Sequence, residues 1–296
     1  MVDYEPKNWF ALLFNLRGSV VRGIAGRIFL TAAMGGVAVL VHQRTGFKIP
    51  PIAHTLIGAA LALLLVFRTN ASYDRYWEGR RLFGAMANRM RDLARQLASF
   101  AEVDAGERAA VHRHLMAFYR LAVQSLRRER DLEPLAEHLD PSERAELADV
   151  GLRHYVVLAW ISRRLDALQK RGALDGQRLM LCDVNVTALT DAIGGCERIR
   201  NTPVPIAYAH HIKMFVTLFC FSVPFAMVAD MKLYTPLAVA VLAFALFGID
   251  EIGVEIEEPF GYDPNDLPLD QMARTIDASL GDILRVGPTP LAAEPS

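Results

Sequence analysis

Hydrophobic and polar positions along this chain separate into long blocks. Four stretches hold no Asp, Glu, Lys or Arg: 28–41, 49–67, 214–229 and 233–249, of 14, 19, 16 and 17 residues. A bilayer core takes roughly 17 to 25 residues of helix, and flanking Arg and Lys can snorkel, so each stretch predicts a membrane-spanning helix. Between the second and third the pattern changes to helical periodicity mixed with charge. Neither Pro nor a Gly pair interrupts Arg68 to Leu97, and Trp77, Met86, Met90, Leu93 and Leu97 fall largely at three- and four-residue steps. The second spanning helix is therefore predicted to run on beyond the bilayer. Further helices are predicted from about Glu107 to Arg128, Leu152 to Lys170 and Leu174 to Arg200. A short one near Ser142 to Asp149 is marked by Asp140 as N-cap, Pro141 at the first helical position and Glu143 at the third. No strand alternation and no repeat period appears. The expected class is all-α: a polytopic membrane protein with four transmembrane helices and a helical cytoplasmic domain.

Charge adds orientation. The 296 residues are 52 % apolar and 22 % charged, ordinary values for a soluble chain, and the net charge is only −1. The distribution says more than either figure. Residues 1–27 hold four basic and two acidic groups, 68–213 hold 23 and 19, and 250–296 hold two and eleven. Arg17, Arg22 and Arg27 precede the first apolar stretch, while Arg68, Arg75, Arg80 and Arg81 follow the second. By the positive-inside rule both clusters face the cytoplasm and outweigh Arg44 and Lys48 in the turn between them. The layout that follows is a cytoplasmic N-terminal segment (1–27), transmembrane helices one and two (28–67), a helical cytoplasmic domain (68–213), transmembrane helices three and four (214–249) and an acidic cytoplasmic C-terminal segment (250–296). An acidic inner leaflet would repel that last segment, so the basic middle portion is expected to hold it; beyond about Arg285 three Pro and no periodicity predict disorder. The first apolar stretch starts late and is followed by no small-residue cleavage site, which argues against a removable signal peptide. Cys182, Cys196 and Cys220 are too scattered for a disulfide framework or a zinc site.

Three motifs invite chemistry. FRTNASYDRYWEGRR, Phe67 to Arg81, reads on spacing alone as a helix leaving the bilayer, with Arg68 and Arg75 snorkelling, Tyr73, Tyr76 and Trp77 as an interfacial belt, and Asp74 and Glu78 pairing with Arg81 or Arg75. Gly58, Ala59, Ala60 and Ala62 give the preceding stretch a small-residue face suited to close helix approach or to lining a narrow path. Glu255, Glu257, Glu258, Asp263 and Asp266 lie around Pro259, Phe260 and Gly261, oxygen donors of the kind Ca²⁺ takes. Their order does not fit an EF-hand loop, and a charged helix end with Asp266 capping a helix that starts near Pro268 explains several of them. No P-loop, dinucleotide fingerprint, nucleophile elbow or HExxH is present, so no enzyme activity is expected.

The pairing of FRTNASYDRYWEGR (Phe67 to Arg80) with IEEPFGYDPNDLPLD (Ile256 to Asp270), in order around four apolar stretches and with NTPVP at Asn201 to Pro205, resembles the bestrophin family of ion channels in its bacterial branch. The resemblance covers roughly Leu16 to Leu284. It implies a homopentamer in the bacterial inner membrane, multi-pass with both termini cytoplasmic, around a central pore lined by the second helix. Its hydrophobic neck falls on Ala59, Leu63 and Phe67, with Ala59 smaller than the family's usual side chain there. The motif at the cytoplasmic end of that helix is carried by Arg68, Arg75, Trp77 and Glu78. In eukaryotic members a calcium clasp occupies positions that fall on Glu255, Glu258, Asp263 and Asp266; two amides of that clasp are Glu255 and Glu258 here, which argues against the same Ca²⁺ gating. No cofactor is required on this reading.

The expected partners are other copies of the chain, membrane lipids and small monovalent ions, with no nucleic acid. A membrane-anchored signalling scaffold is the competing class. A neutral neck leaves ion sign to charges elsewhere, and Asp175, Asp183 and Asp191, at eight-residue intervals on one predicted helix, would enrich cations in a cytoplasmic vestibule. With some bacterial relatives conducting cations, cation selectivity is the expectation and chloride the alternative.

Overall fold

The computed structural model describes residues 19–285. Arg17 with the rest of the first eighteen residues, and the tail for which disorder is expected, lie outside them. No strand occurs among the described residues. The helices are α1 (Val21–Thr45), α2 (Pro51–Phe100), α3 (Ala105–Arg127), α4 (Pro141–Leu147), α5 (Arg153–Lys170), α6 (Gly176–Asn201), α7 (Ile206–Met231), α8 (Thr235–Glu255) and α9 (Leu269–Arg285). The four apolar stretches fall in α1, the first part of α2, α7 and α8. These helices are long and apolar enough to cross a membrane, their best windows reaching a mean hydropathy of 1.8 to 2.1. α6 also qualifies by length and composition, at the lower value of 1.2 and with a larger share of its window buried inside the chain. α2 is unbroken over 50 residues, as the missing breakers in the sequence predict.

The chain forms two compact units. One takes the residues up to Trp77 together with Thr202–Asp266. Its core joins Ile24 of α1, Leu61 and Leu65 of α2, Val216, Phe219 and Val223 of α7, and Val239, Ala243 and Phe247 of α8. Lipid tails are as apolar as these side chains, so helix association here depends on closeness of fit more than on escape from water. Gly35 shows it: a Cβ there would lie 2.8 Å from Pro236 Cα and 2.9 Å from Val239 Cγ2, so α1 can approach the start of α8 only where the side chain is absent. Pro236 itself occupies the first turn of α8, where a missing N–H costs nothing.

The other unit takes Glu78–Asn201 and the residues from Leu267 onward. α3 buries Val111, Leu115, Phe118 and Ala122. Against it lies α9, strongly amphipathic, burying Leu269, Ala273, Ile276, Leu280 and Leu284 at three- and four-residue steps. Acidic groups on α9 meet basic ones on α3: Asp270 pairs with Arg127 at 3.1 Å and Asp277 with His112 at 2.7 Å, while the Tyr119 hydroxyl donates to the Leu269 carbonyl at 3.0 Å. The basic middle portion does hold the acidic segment as far as it is described. α4 begins as its sequence announces, with Asp140 and Glu143 forming a reciprocal capping box behind Pro141.

α6 begins later than expected. Asp175 is not a helical residue but the cap before it: its Oδ1 accepts from the Arg178 N–H at 2.9 Å, and its other oxygen pairs with the Arg178 guanidinium at 3.0 Å. A carboxylate just ahead of a run of free N–H groups is drawn to them, and that local bond sets the boundary.

Candidate functional site

The first unit brings together residues of three segments that lie far apart in the chain: the start of the Phe67 to Arg81 motif, NTPVP, and the acidic stretch at the end of α8. Arg68, on α2, is 2 % exposed. Its Nε lies 3.4 Å from Asp250 Oδ1 on α8, and its Nη2 lies 3.7 Å from Glu257 Oε2 just past the end of α8. Gly253, one turn on from Asp250, lies against the Arg68 side chain, where a Cβ would sit at ordinary contact distance, 3.4 Å, from Nε. The pairing is close in charge but poor in hydrogen bonds: Nε and Nη1 of Arg68 and Oδ1 of Asp250 have no hydrogen-bond partner. Glu257 is shared, because its Oε1 also accepts from the Val204 N–H at 3.1 Å, in the NTPVP segment between α6 and α7. Arg75, two turns along α2, donates from Nε to the Glu257 carbonyl at 3.1 Å and from Nη1 to the Thr202 carbonyl at 2.6 Å.

The snorkelling expected of Arg68 and Arg75 is therefore corrected. Snorkelling is the solution for a cation with no anion in reach, whereas Asp250 and Glu257 supply two at the same level and two backbone carbonyls are open to Arg75. Nor does Glu78 pair with Arg75 or Arg81; it meets Arg198 of α6 at 2.7 Å. Trp77 is 51 % exposed within the single chain. The sequence pattern does not pair Asp250 and Glu257 with Arg68. The available signal was an Arg and an Asp each placed at the boundary of an apolar stretch.

The loop after α8 is fixed by its own side chains. Phe260 is fully buried and Gly261 lies under Asp266, whose Oδ2 a Cβ would meet at 2.7 Å. Asp266 does not cap α9 as expected. It turns back, and its Oδ2 accepts from the Asp263 N–H at 2.8 Å while Oδ1 is buried without a partner. Burial pushes its carboxyl up to about 6, helped by the negative charges of Asp263 and Glu258 and opposed by the Asp263 N–H. Glu255 accepts from the Asn265 amide at 2.6 Å, and Glu258 and Asp263 are exposed. Among the described residues no three His, Cys, Asp or Glu side chains gather as metal ligands, so Glu255, Glu258, Asp263 and Asp266 are not brought together as one oxygen cage.

The flank of α2 turned away from the core has a different character. Leu61 and Leu65 face inward, while Leu56, Ala59, Leu63 and Phe67 face out, Leu63 at 56 % and Phe67 at 57 % exposure. Ala60 and Ala62 of the small-residue face also lie outward and do not pack within the chain. On α6, Asp183 and Asp191 are exposed beside Met180, Leu181 and Val184, which are likewise exposed.

The profile of the bacterial/fungal bestrophin protein family matches residues 1–282. A voltage-dependent anion channel-forming protein of Nostoc is 39 % identical over 290 residues, covering 95 % of this chain and 94 % of its own. One of the same name from Synechocystis is 36 % identical over 96 % and 94 %. A crystal structure of a bacterial bestrophin homologue from Klebsiella pneumoniae superposes with a TM-score of 0.85 at 30 % identity, covering 90 % of this chain and all of that one.

Proposed function

Since the chain belongs to the bacterial and fungal bestrophin family, we propose that it is one subunit of a membrane ion channel, assembled as a ring of five in the bacterial inner membrane with both termini in the cytoplasm. The observation that carries this reading is the outward apolar flank of α2. One chain buries Leu61 and Leu65 but leaves Leu63 and Phe67 with no partner, as expected of a helix whose far side lines a path between copies. Ala59, Leu63 and Phe67 then stack as successive rings at steps of four. A narrow apolar ring cannot replace an ion's water shell and gates by dewetting. Leu63 and Phe67 form the tight part and Ala59 the wide outer mouth. An odd-numbered closed ring requires head-to-tail contacts, which differ on the two sides of each subunit.

The ion we propose is a small monovalent anion. The names of the Nostoc and Synechocystis relatives point to anions. The cation expectation draws on three carboxylates at eight-residue intervals of one helix, which share a face only loosely, and on the family's bacterial branch. Asp175 has left that set, its charge offset by Arg178 at the start of α6, which leaves Asp183 and Asp191. The channel itself performs no bond chemistry and needs no bound cofactor. The test has two parts. Mass measurement of the detergent-solubilised protein should give five copies; a monomer or dimer overturns the pore. In a planar bilayer under a salt gradient, the reversal potential should follow the chloride gradient; one that follows the cation gradient reassigns the sign to Asp183 and Asp191.

A further inference from the structure

A cavity of about 290 Å³ opens in the second unit, between the C-terminal end of α3 and the N-terminal end of α5. Its walls are held in place from within. α3 ends at Arg128 in the left-handed conformation, φ 59°, where the backbone N–H satisfies the last helical carbonyls and the chain turns sharply. Across the cavity, Arg153 clamps the two loops that flank it. Its guanidinium donates to the carbonyls of Leu147 at 2.9 Å, Ala148 at 2.9 Å and Arg130 at 2.6 Å. All three guanidinium nitrogens are engaged, so Arg153 is part of the frame and is not available to a ligand.

Three buried polar atoms of lining residues make no hydrogen bond. Gln124 is 9 % exposed, and its Nε2 donates to the Asp131 carbonyl at 2.8 Å, which fixes the amide and makes Oε1 an acceptor with no donor. His154 is 1 % exposed; its Nε2 lies 3.1 Å from Glu197 Oε1, and neither Nε2 nor Nδ1 makes a hydrogen bond. Both residues line the cavity. Buried polar atoms without partners are uncommon because each loses its water without replacement.

Charge on the lining is positive on balance, Arg128 and Arg130 standing against Glu129. Arg128 and Arg130 both line the cavity, lie exposed at its rim, and form no ion pair among the described residues. α5, 18 residues long, begins here with no side-chain cap, so the positive end of its dipole faces the same space through Gly151, Arg153 and His154. Two guanidiniums and a helix N-terminus suit a dianionic phosphate monoester, which takes bidentate hydrogen bonds from each Arg. The unpaired Oε1 of Gln124 requires a donor on the same molecule. The volume sits just under the roughly 300 to 1,000 Å³ of ordinary ligand pockets, enough for a few carbons beside the phosphate and too small for acyl chains.

We propose that this cavity is a binding site for a small soluble phosphate monoester bearing a hydroxyl, with Arg128 and Arg130 on the phosphate and Gln124 on the hydroxyl. The site is independent of the channel reading and is tested by binding alone. Full-length protein in detergent is titrated calorimetrically with glycerol 3-phosphate, inorganic phosphate and glycerophosphoglycerol, the last being the diester of a lipid headgroup. Glycerol 3-phosphate should bind more tightly than the other two. Arg128→Gln with Arg130→Gln should weaken it about tenfold or more, the loss expected for charge-assisted hydrogen bonds. Gln124→Leu should bring it down to the level of inorganic phosphate. Both variants are first shown to keep the parent's melting temperature and mass, and Arg128→Gln alone serves if the double variant does not fold. Equal binding of monoester and diester, equal binding of ester and inorganic phosphate, or tight binding that survives loss of both arginines each overturns the proposal.

Discussion

Replacing Arg68 with Met tests the charged node directly, because the stem is kept and only the guanidinium is removed. With Arg68 and Asp250 almost fully buried and 3.4 Å apart, their attraction at an effective dielectric near 20 is about 5 kcal/mol. The Glu257 contact at 3.7 Å adds nearly as much. Desolvation of three ions offsets most of this, so the net value of the triad is small. Removing Arg68 alone, however, leaves two carboxylates facing each other without their cation, and the expected loss is about 3–5 kcal/mol. Asp250→Leu should cost less, since Glu257 still neutralises the guanidinium. Arg68→Met combined with Asp250→Leu should recover most of the loss, because the buried Arg68–Asp250 pair is poor in hydrogen bonds and the remaining carboxylate, Glu257, is partly exposed and keeps the Val204 N–H as a partner. The assay is thermal unfolding in detergent followed by tryptophan fluorescence, with the four proteins forming a double-mutant cycle. At a few degrees per kcal/mol, Arg68→Met should melt about 6–15 °C below the parent. A single variant within about 1 °C of the parent, or strictly additive losses in the double variant, refutes the argument that the node is a coupled buried charge set.

Three further outcomes are expected. Gly35→Val places carbon inside the α1 contact with Pro236 and should cost about 1–3 kcal/mol by overpacking, seen as a lower melting temperature, whereas Gly36→Val, where nothing lies within 4 Å, should leave it unchanged. Asp266 has a carboxyl raised to about 6 in the folded protein against 3.8 in the unfolded chain, so the folded state binds its proton more tightly. Its contribution is complete below the unfolded value and is lost as pH rises through about 6. Melting curves across that interval should show the loss, and Asp266→Asn should remove that component of the slope. Cutting Leu63 and Phe67 together to Ala should raise single-channel conductance or hold the channel open without changing subunit number; unchanged currents in a folded double variant move the constriction elsewhere.

Element type was legible because local patterns decide it. Runs without charge, a missing breaker between Arg68 and Leu97, and the Asp140-Pro141-Glu143 signature each act within a few residues, and α2 and α4 follow from them. What the sequence did not reveal was pairing across the chain. Arg68 and Asp250 are 182 positions apart, and one chain gives no reason to match them beyond each standing where an apolar run ends. Asp266 shows a second limit. Two N–H groups competed for its carboxylate, the one ahead of α9 and the one at Asp263, and only the burial of Phe260 and the tight turn at Gly261 decide between them. The α2 flank was readable as a stripe, but whether Ala59, Leu63 and Phe67 faced the core or away from it depends on where Leu61 and Leu65 find partners on other helices.

Two bonds by which Arg75 fastens α2 to distant points end on backbone carbonyls, at Thr202 and Glu257. Every amino acid brings a carbonyl, so random change at Thr202 leaves that bond standing as long as the chain path survives. The donor has no such tolerance: Lys offers one point charge where Arg reaches two carbonyls from two different nitrogens. The junction therefore concentrates its mutational sensitivity in a single codon. A library randomised at both positions and selected for folded protein should return many residues at 202 and Arg alone at 75.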